Sequence, residues 1–196
     1  MDKYNVQNDR YCYPSSSVLV NKLGITDEAA FEEAERDITG LAIDSVHYIE
    51  PPYSLETFQY LHIILFKELY AWAGEIRTVD ISKGGTRFCT VDFIVPQVEK
   101  IFSRLEQEQY LTIYTGFDLV KKFAEYYGDL NMVHPFREGN GRVQRLFFEQ
   151  LAFYNGYRLD WRAVKSQEDW IQANIDSVYV ENARLEAIFG DALQRL

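Results

Sequence analysis

Cysteine is scarce in this chain, with only Cys12 and Cys89 in 196 residues. Two thiols cannot build a disulfide framework, and neither a CxxC nor a Cys/His zinc spacing occurs. Two free thiols in a reducing compartment are expected. Basic excess is also missing: 20 Lys and Arg stand against 30 Asp and Glu, for a formal charge of −10. That balance argues against direct binding to nucleic acid or to an anionic membrane, where a basic face supplies the attraction. No apolar run approaches the roughly 20 residues needed to cross a bilayer. The polar start MDKYNVQNDRYCYPSSS lacks the apolar core of a secretory signal. Cytoplasmic residence is the expectation. Repeats, low-complexity tracts and long linkers are absent too, so one domain over residues 1–196 is expected.

Aromatic residues are plentiful, with 14 Tyr and 13 Phe. They favour bulky packing between helices, and helical periodicity dominates the chain. Thr26–Asp27 offers a cap for a first helix running to about Val46. Ser54 can cap a second, with Leu61, Ile64, Leu65 and Leu69 on its apolar face, ending near Trp72–Gly74. The stretch 76–90 reads as a β-hairpin: Ile76, Val79 and Ile81 favour strands, Gly84–Gly85 is a turn signal, and Arg87–Cys89 returns. Asp92 can cap a helix through Phe102 and Leu105. A further helix from about Phe117 carries Val120, Phe123, Tyr127 and Leu130 on one face. It ends at His134, which precedes a proline. A new helix begins around Arg142 and stops at Gly156. Ser166 can cap a penultimate helix with Trp170 and Ile171, and a last helix runs through Leu185, Ile188 and Leu193. The fold class is mostly α with one short β-hairpin.

The chemistry concentrates in His134–Arg145, HPFREGNGRVQR. In an acidic chain, Arg137, Arg142 and Arg145 lie within nine residues. Gly139 and Gly141 flank Asn140 just before a helix, where backbone N–H groups and the helix dipole favour an anion. Arg142 and Arg145 sit three apart on that helix, and their planar donor forks suit phosphate oxygens. Glu138 would repel a bare polyphosphate but suits Mg²⁺, which takes few protein ligands and bridges phosphate oxygens. A neutral His134 could take a proton from an attacking hydroxyl. Each feature alone has an ordinary reading as helix end, turn or solvated face. Together they assemble a base, a metal ligand, an anion nest and a charge clamp for phosphoryl-group transfer.

At every defined position this stretch resembles the Fic (Fido) motif HxFx[D/E]GNGRxxR. The segments Ala71–Arg77 and Ile81–Gly84 resemble the family's approach to its flap hairpin. The N-terminal stretch YCYPSSSVLVNKLGITDEAAFEEAE resembles bacterial Fic toxins held by a separate small antitoxin. The resemblance implies a Fic-type helical core, with the motif loop 134–142 between two central helices and a flap at about 76–90. It implies transfer of AMP from ATP to a target Tyr, Thr or Ser hydroxyl, with release of pyrophosphate. His134 would be the base and Glu138 the Mg²⁺ ligand. Gly139, Asn140 and Gly141 would form the anion hole, with Arg142 near the β-phosphate and Arg145 on the γ-phosphate. Phe136 would anchor the loop, Pro135 would set its exit, and Asn131 would help line the nucleotide site. Lys83 and Gly84 in the flap would register an extended target segment by strand addition. Phe93 and Gln172 would lie near the adenine.

Relatives with lysine at the position of Gly141 act as kinases, so Gly141 favours AMP over phosphate. The resemblance also suggests type II topoisomerase subunits as targets. Family members carry a brake, [S/T]xxxE[G/N], whose Glu pairs with the second motif arginine, here Arg145. Ser177–Val178–Tyr179–Val180–Glu181–Asn182 matches it formally. Yet it directly follows Trp170–Ala173, and only 14 residues remain beyond it. An inhibitory helix supplied in trans, docking on the N-terminal helices, is the expectation. Alternatives are a nucleotide-binding regulatory module without transferase activity, transfer from another nucleotide-linked donor, and ATP hydrolysis.

Overall fold

The computed structural model describes residues 4, 6 and 9–196. Of the single domain expected over 1–196, residues 1–3, 5, 7 and 8 lie outside the described residues. Asp27 opens α1 (Glu28–Ile43), its carboxylate accepting from Ala30 N–H at 2.9 Å. Ser54 opens α2 (Leu55–Phe66) through a capping box with Thr57. Helix α2 stops at Phe66, earlier than its apolar periodicity predicts. Residues 67–74 instead turn back, so that the Gly74 N–H reaches His62 Nδ1 at 2.9 Å.

Strands β1 (Ser82–Lys83) and β2 (Thr86–Arg87) form the antiparallel hairpin, with Ser82 opposite Arg87 and Lys83 opposite Thr86. It is much shorter than 76–90: beyond one bond from the Phe88 N–H to the Ile81 carbonyl at 3.3 Å, its flanks turn to the helix end at Met132 and to the motif loop. Arg77 N–H donates to the Pro135 carbonyl at 3.0 Å and Cys89 N–H to the Met132 carbonyl at 3.0 Å. Asp92 does not cap the next helix. A 3₁₀ turn (Val91–Phe93) leads into α3 (Ile94–Gln107), and Asp80 from the opposite hairpin flank accepts from Val91 N–H at 3.0 Å.

Helices α4 (Gly116–Val133) and α5 (Asn140–Tyr154) hold the motif loop between them. Helix α4 packs on α3, α5, α6 (Gln167–Val178) and α7 (Ala183–Ala192), while α5 packs on α2. Ser166 caps α6 as expected, accepting from Asp169 N–H at 2.9 Å. The core is aromatic. Phe147 meets Phe102 edge-to-face at 5.4 Å and Phe58 at 5.0 Å, and Phe189 of α7 packs against Phe123, Tyr127 and Phe148.

A second ribbon was not expected. Strand β3 (Tyr157–Leu159) pairs antiparallel with β4 (Leu193–Arg195), so Leu193 belongs to a strand and the last helix ends at Ala192. Gly156, at φ 79°, turns the chain out of α5 into β3. No helix among the described residues is long and apolar enough to cross a membrane.

Candidate active site

The site begins where α4 ends. His134 adopts a left-handed conformation, φ 45°, which halts the helix and swings the chain into the loop. Its Nδ1 donates to the Asn131 carbonyl one turn back. A carbonyl can only accept, so Nδ1 carries a proton, and the nitrogen through which the ring can take up a further proton is Nε2. The ring stacks on Phe88 of the hairpin flank, 3.8 Å between centroids and 20° from parallel. The His134 carbonyl accepts from Arg77 Nε at 2.8 Å. Backbone and ring are thus both held.

Two side chains lock the loop from within. Asn140 accepts from Phe136 N–H and donates to the Phe136 carbonyl, each at 2.8 Å. Its amide is therefore a clasp across the loop, and the anion-binding donors that remain are backbone N–H groups. His62, fully buried on α2, lies under the loop with its ring 4.1 Å from that of Phe136. Its Nδ1 accepts from Gly74 N–H, so its Nε2 must donate to the Glu138 carbonyl at 3.0 Å. Burial pushes this imidazole down to about 3, so it stays neutral. Gly139 caps α5 at φ 79°, and a Cβ there would lie 2.3 Å from the Phe66 ring. Only glycine fits both constraints.

Glu138 is buried at the start of α5 and accepts from Gly139 N–H at 2.9 Å. Arg142 lies over the Phe66 ring, 4.7 Å from its centroid. It donates to Glu35 and Thr39 of α1, and its Nη2 also donates to Glu138 Oε1 at 3.4 Å. Arg145, one turn on, has no ion-pair partner among the described residues, and a Cβ at Gly141 would meet its Nη1 at 3.5 Å. Arg137, counted with these two as a basic cluster, turns away: it is buried against Asp9, with Nη2–Oδ2 at 2.5 Å. Burial alone would raise the Asp9 carboxyl, but the bonds and charge of Arg137 hold it below its ordinary value.

One cleft of about 550 Å³ gathers Lys83, Gly84, Asn131, His134, Glu138, Gly139, Gly141, Arg142 and Arg145. Its far wall is α6, contributing Trp170, Ile171, Asn174, Ile175 and Val178. Asn131 ties the wall to α4 by donating to the Asn174 carbonyl at 3.1 Å. Phe93 is not brought there. It is 56% exposed and lines a separate groove behind the hairpin, bordered by α3 and α4. Gln172 is exposed on the outer side of α6 and donates to Asp176 at 2.6 Å. Glu181 is exposed and forms no ion pair with Arg145. The Ser177–Asn182 match therefore does not place its carboxylate on that arginine.

Three polar residues of the site escaped sequence reasoning. His62 was hidden in an apolar helix face, Glu35 among the many acids of α1, and Arg77 inside a segment noted only for its resemblance. A buried Arg77, bonded to carbonyls on both the hairpin flank and the motif loop, has no local signature.

With this geometry in hand, comparison with known proteins is direct. Residues 52–152 match the Fic/DOC family. The chain is 35% identical to the probable protein adenylyltransferase Fic of Salmonella typhimurium over 98% of its own length and 96% of that protein's. It is 34% identical to the Escherichia coli K12 protein of the same name, covering 96% and 94%. The fold superposes on the N-terminal Fic domain of a VirB-translocated effector from Bartonella quintana, solved with bound ADP, with a TM-score of 0.85. That pair is 25% identical, with 94% of each chain covered. The chain belongs to the Fic/DOC family.

Proposed function

We propose that this chain is a protein adenylyltransferase, moving AMP from ATP onto a hydroxyl side chain of another protein. The observation that carries the reading is His134, its Nδ1 proton committed to Asn131, in one cleft with Glu138, two arginines and the N-terminus of α5. The names of the curated relatives support the same activity. The triphosphate would lie on the backbone N–H groups of Asn140 and Gly141, since that of Gly139 donates to Glu138, with Arg142 and Arg145 reading its outer phosphates. His134 Nε2 takes the proton of the acceptor hydroxyl. That oxygen forms its bond to Pα as the bond from Pα to the bridging oxygen breaks, and pyrophosphate leaves.

The donor set suits Mg²⁺ only in company with nucleotide. Glu138 lines the cleft, and no cluster of three His, Cys, Asp or Glu exists among the described residues. Glu138 would hold the ion, which would supply charge neutralisation between phosphate oxygens. Lys83 and Gly84 rim the same cleft, which supports the hairpin as the register for an extended acceptor segment. Restraint by a separate small antitoxin is favoured because no carboxylate among the described residues lies within ion-pair distance of Arg145, although Glu149 acts on it from farther off.

Incubation with α-labelled ATP and a bacterial lysate tests the activity, with type II topoisomerase subunits as the first purified acceptors to try. Label should appear on protein, and His134→Ala should reduce it by about 10²–10⁴-fold. Free AMP without an adduct would mean hydrolysis. Label transferred from γ-labelled rather than α-labelled ATP would mean a kinase. Nucleotide binding with neither product would leave a regulatory module.

A further inference from the structure

A third ring lies across the edge of the His134–Phe88 stack. The centroid of Tyr4 is 6.0 Å from each of those two rings, and its plane stands at 76° to His134 and 80° to Phe88. One edge-to-face partner is thus shared by both members of the stack, an arrangement that ring quadrupoles favour. Tyr4, Phe88 and Ile81 are buried together, with Val6 and Val79 packed against them, in a cluster apart from the main core.

The same tyrosine ring also meets two cations. Lys83 Nζ lies over it at 5.9 Å from the centroid, and the Arg137 guanidinium at 5.5 Å. Both are within the reach of a cation–π attraction. Arg137 is itself fixed by its ion pair with Asp9. Tyr4 therefore holds the hairpin and its flank at Lys83 and Phe88, and the motif loop at His134 and Arg137.

The bonds of Arg77 N–H and Cys89 N–H join these elements through the backbone. They do not grip the Phe88 ring, which has no polar atom and stays on His134 by packing alone. A base acts only within hydrogen-bond reach of the proton it takes, and a misplacement of about 1 Å is costly in rate. We infer that Tyr4 is a positioning residue for His134: it ties the hairpin to the motif loop through four side chains and so keeps the imidazole in one orientation. The inference rests on the proposed role of His134 as the base and deepens it.

The test labels the three histidines with ¹³C and follows the ring C–H resonances of His134, assigned by their loss in His134→Ala. Spectra are taken at about pH 8, where an ordinary imidazole is neutral. The face of Phe88 shields these protons, so Tyr4→Ala should move them downfield toward their positions in the unfolded chain. Transfer of label from α-labelled ATP, at saturating ATP, should fall by about tenfold or more. Binding of a non-hydrolysable ATP analogue should change by less than about twofold. Tyr4→Phe keeps the ring and should stay within about twofold of wild type in transfer, with the resonances in place. Tyr4→Leu fills the buried space without a ring and should behave as Tyr4→Ala, which separates loss of the ring from collapse of the packing. Unmoved His134 resonances in Tyr4→Ala and Tyr4→Leu overturn the inference, whether or not label is transferred. So does a Tyr4→Phe protein as impaired as Tyr4→Ala, or a fall in transfer matched by an equal fall in analogue binding. Resonances that move as expected in a protein whose wild type transfers no label uphold the tie and overturn the transferase reading.

Discussion

At the scale of single residues, the site depends on side chains that never touch a ligand. His62 makes the point most clearly. Its two ring nitrogens join the Gly74 N–H to the Glu138 carbonyl, so the residue before the anion nest is held from beneath. Burial lowers its pKa to about 3 from an ordinary 6.5. The sign follows directly. The unfolded chain takes up the proton below about pH 6.5 while the folded ring refuses it until about pH 3. Stability is full above 6.5 and falls through that window. Between pH 7 and pH 5, unfolding by urea should show the wild type losing about 2 kcal/mol more than His62→Gln. Equal losses would mean that His62 is protonated in the folded protein.

At the scale of elements, the hairpin and the motif loop behave as one body, joined by Arg77. Its guanidinium donates to the carbonyls of Val79 and Cys89 on the hairpin flank and of Val133 and His134 on the loop. Burial pushes this guanidinium's pKa down, with Asp80 opposing from 3.8 Å. Arg77→Met removes the donors and leaves buried carbonyls without partners, at a cost of about 2–4 kcal/mol. Hydrogen exchange at the Phe88 and Cys89 amides should quicken, and transfer should fall further than nucleotide affinity does. Unchanged exchange at those amides would show that the hairpin is held without Arg77. The same coupling explains the hairpin's brevity, since 76–81 and 88–90 hold β-favouring residues, but the N–H groups of Arg77 and Cys89 are engaged by Pro135 and Met132.

For the whole molecule, the C-terminal third supports the cleft from outside. Helix α7 buries Phe189 against α4 and α5, and β4 closes on β3, so the wall formed by α6 is backed by the end of the chain. Phe189→Ala should cost about 3–5 kcal/mol in denaturant unfolding, because the surrounding aromatic rings can collapse only in part. Loss of nucleotide affinity should accompany it as α6 loosens. A large stability loss with unchanged affinity would show that the α6 wall stands independently of α7.

The sequence by itself determined the family, the mostly helical class, the motif and its order along the chain. These are local: caps, periodicity and HPFREGNGR are read within a few neighbouring residues. It also placed Asp27 and Ser166 at helix starts, because a cap bonds only to its own first turn. Only the tertiary structure decided that Asn140 is a clasp, that Arg137 turns to Asp9, that Phe93 and Gln172 lie outside the cleft, and that β3 meets β4. The same is true of the three buried supports His62, Arg77 and Glu35, each of which has a partner between 12 and 107 residues away in the chain. Polar groups removed from water must find partners wherever the packed helices present them. That partner is set by the fold and not by the neighbouring sequence.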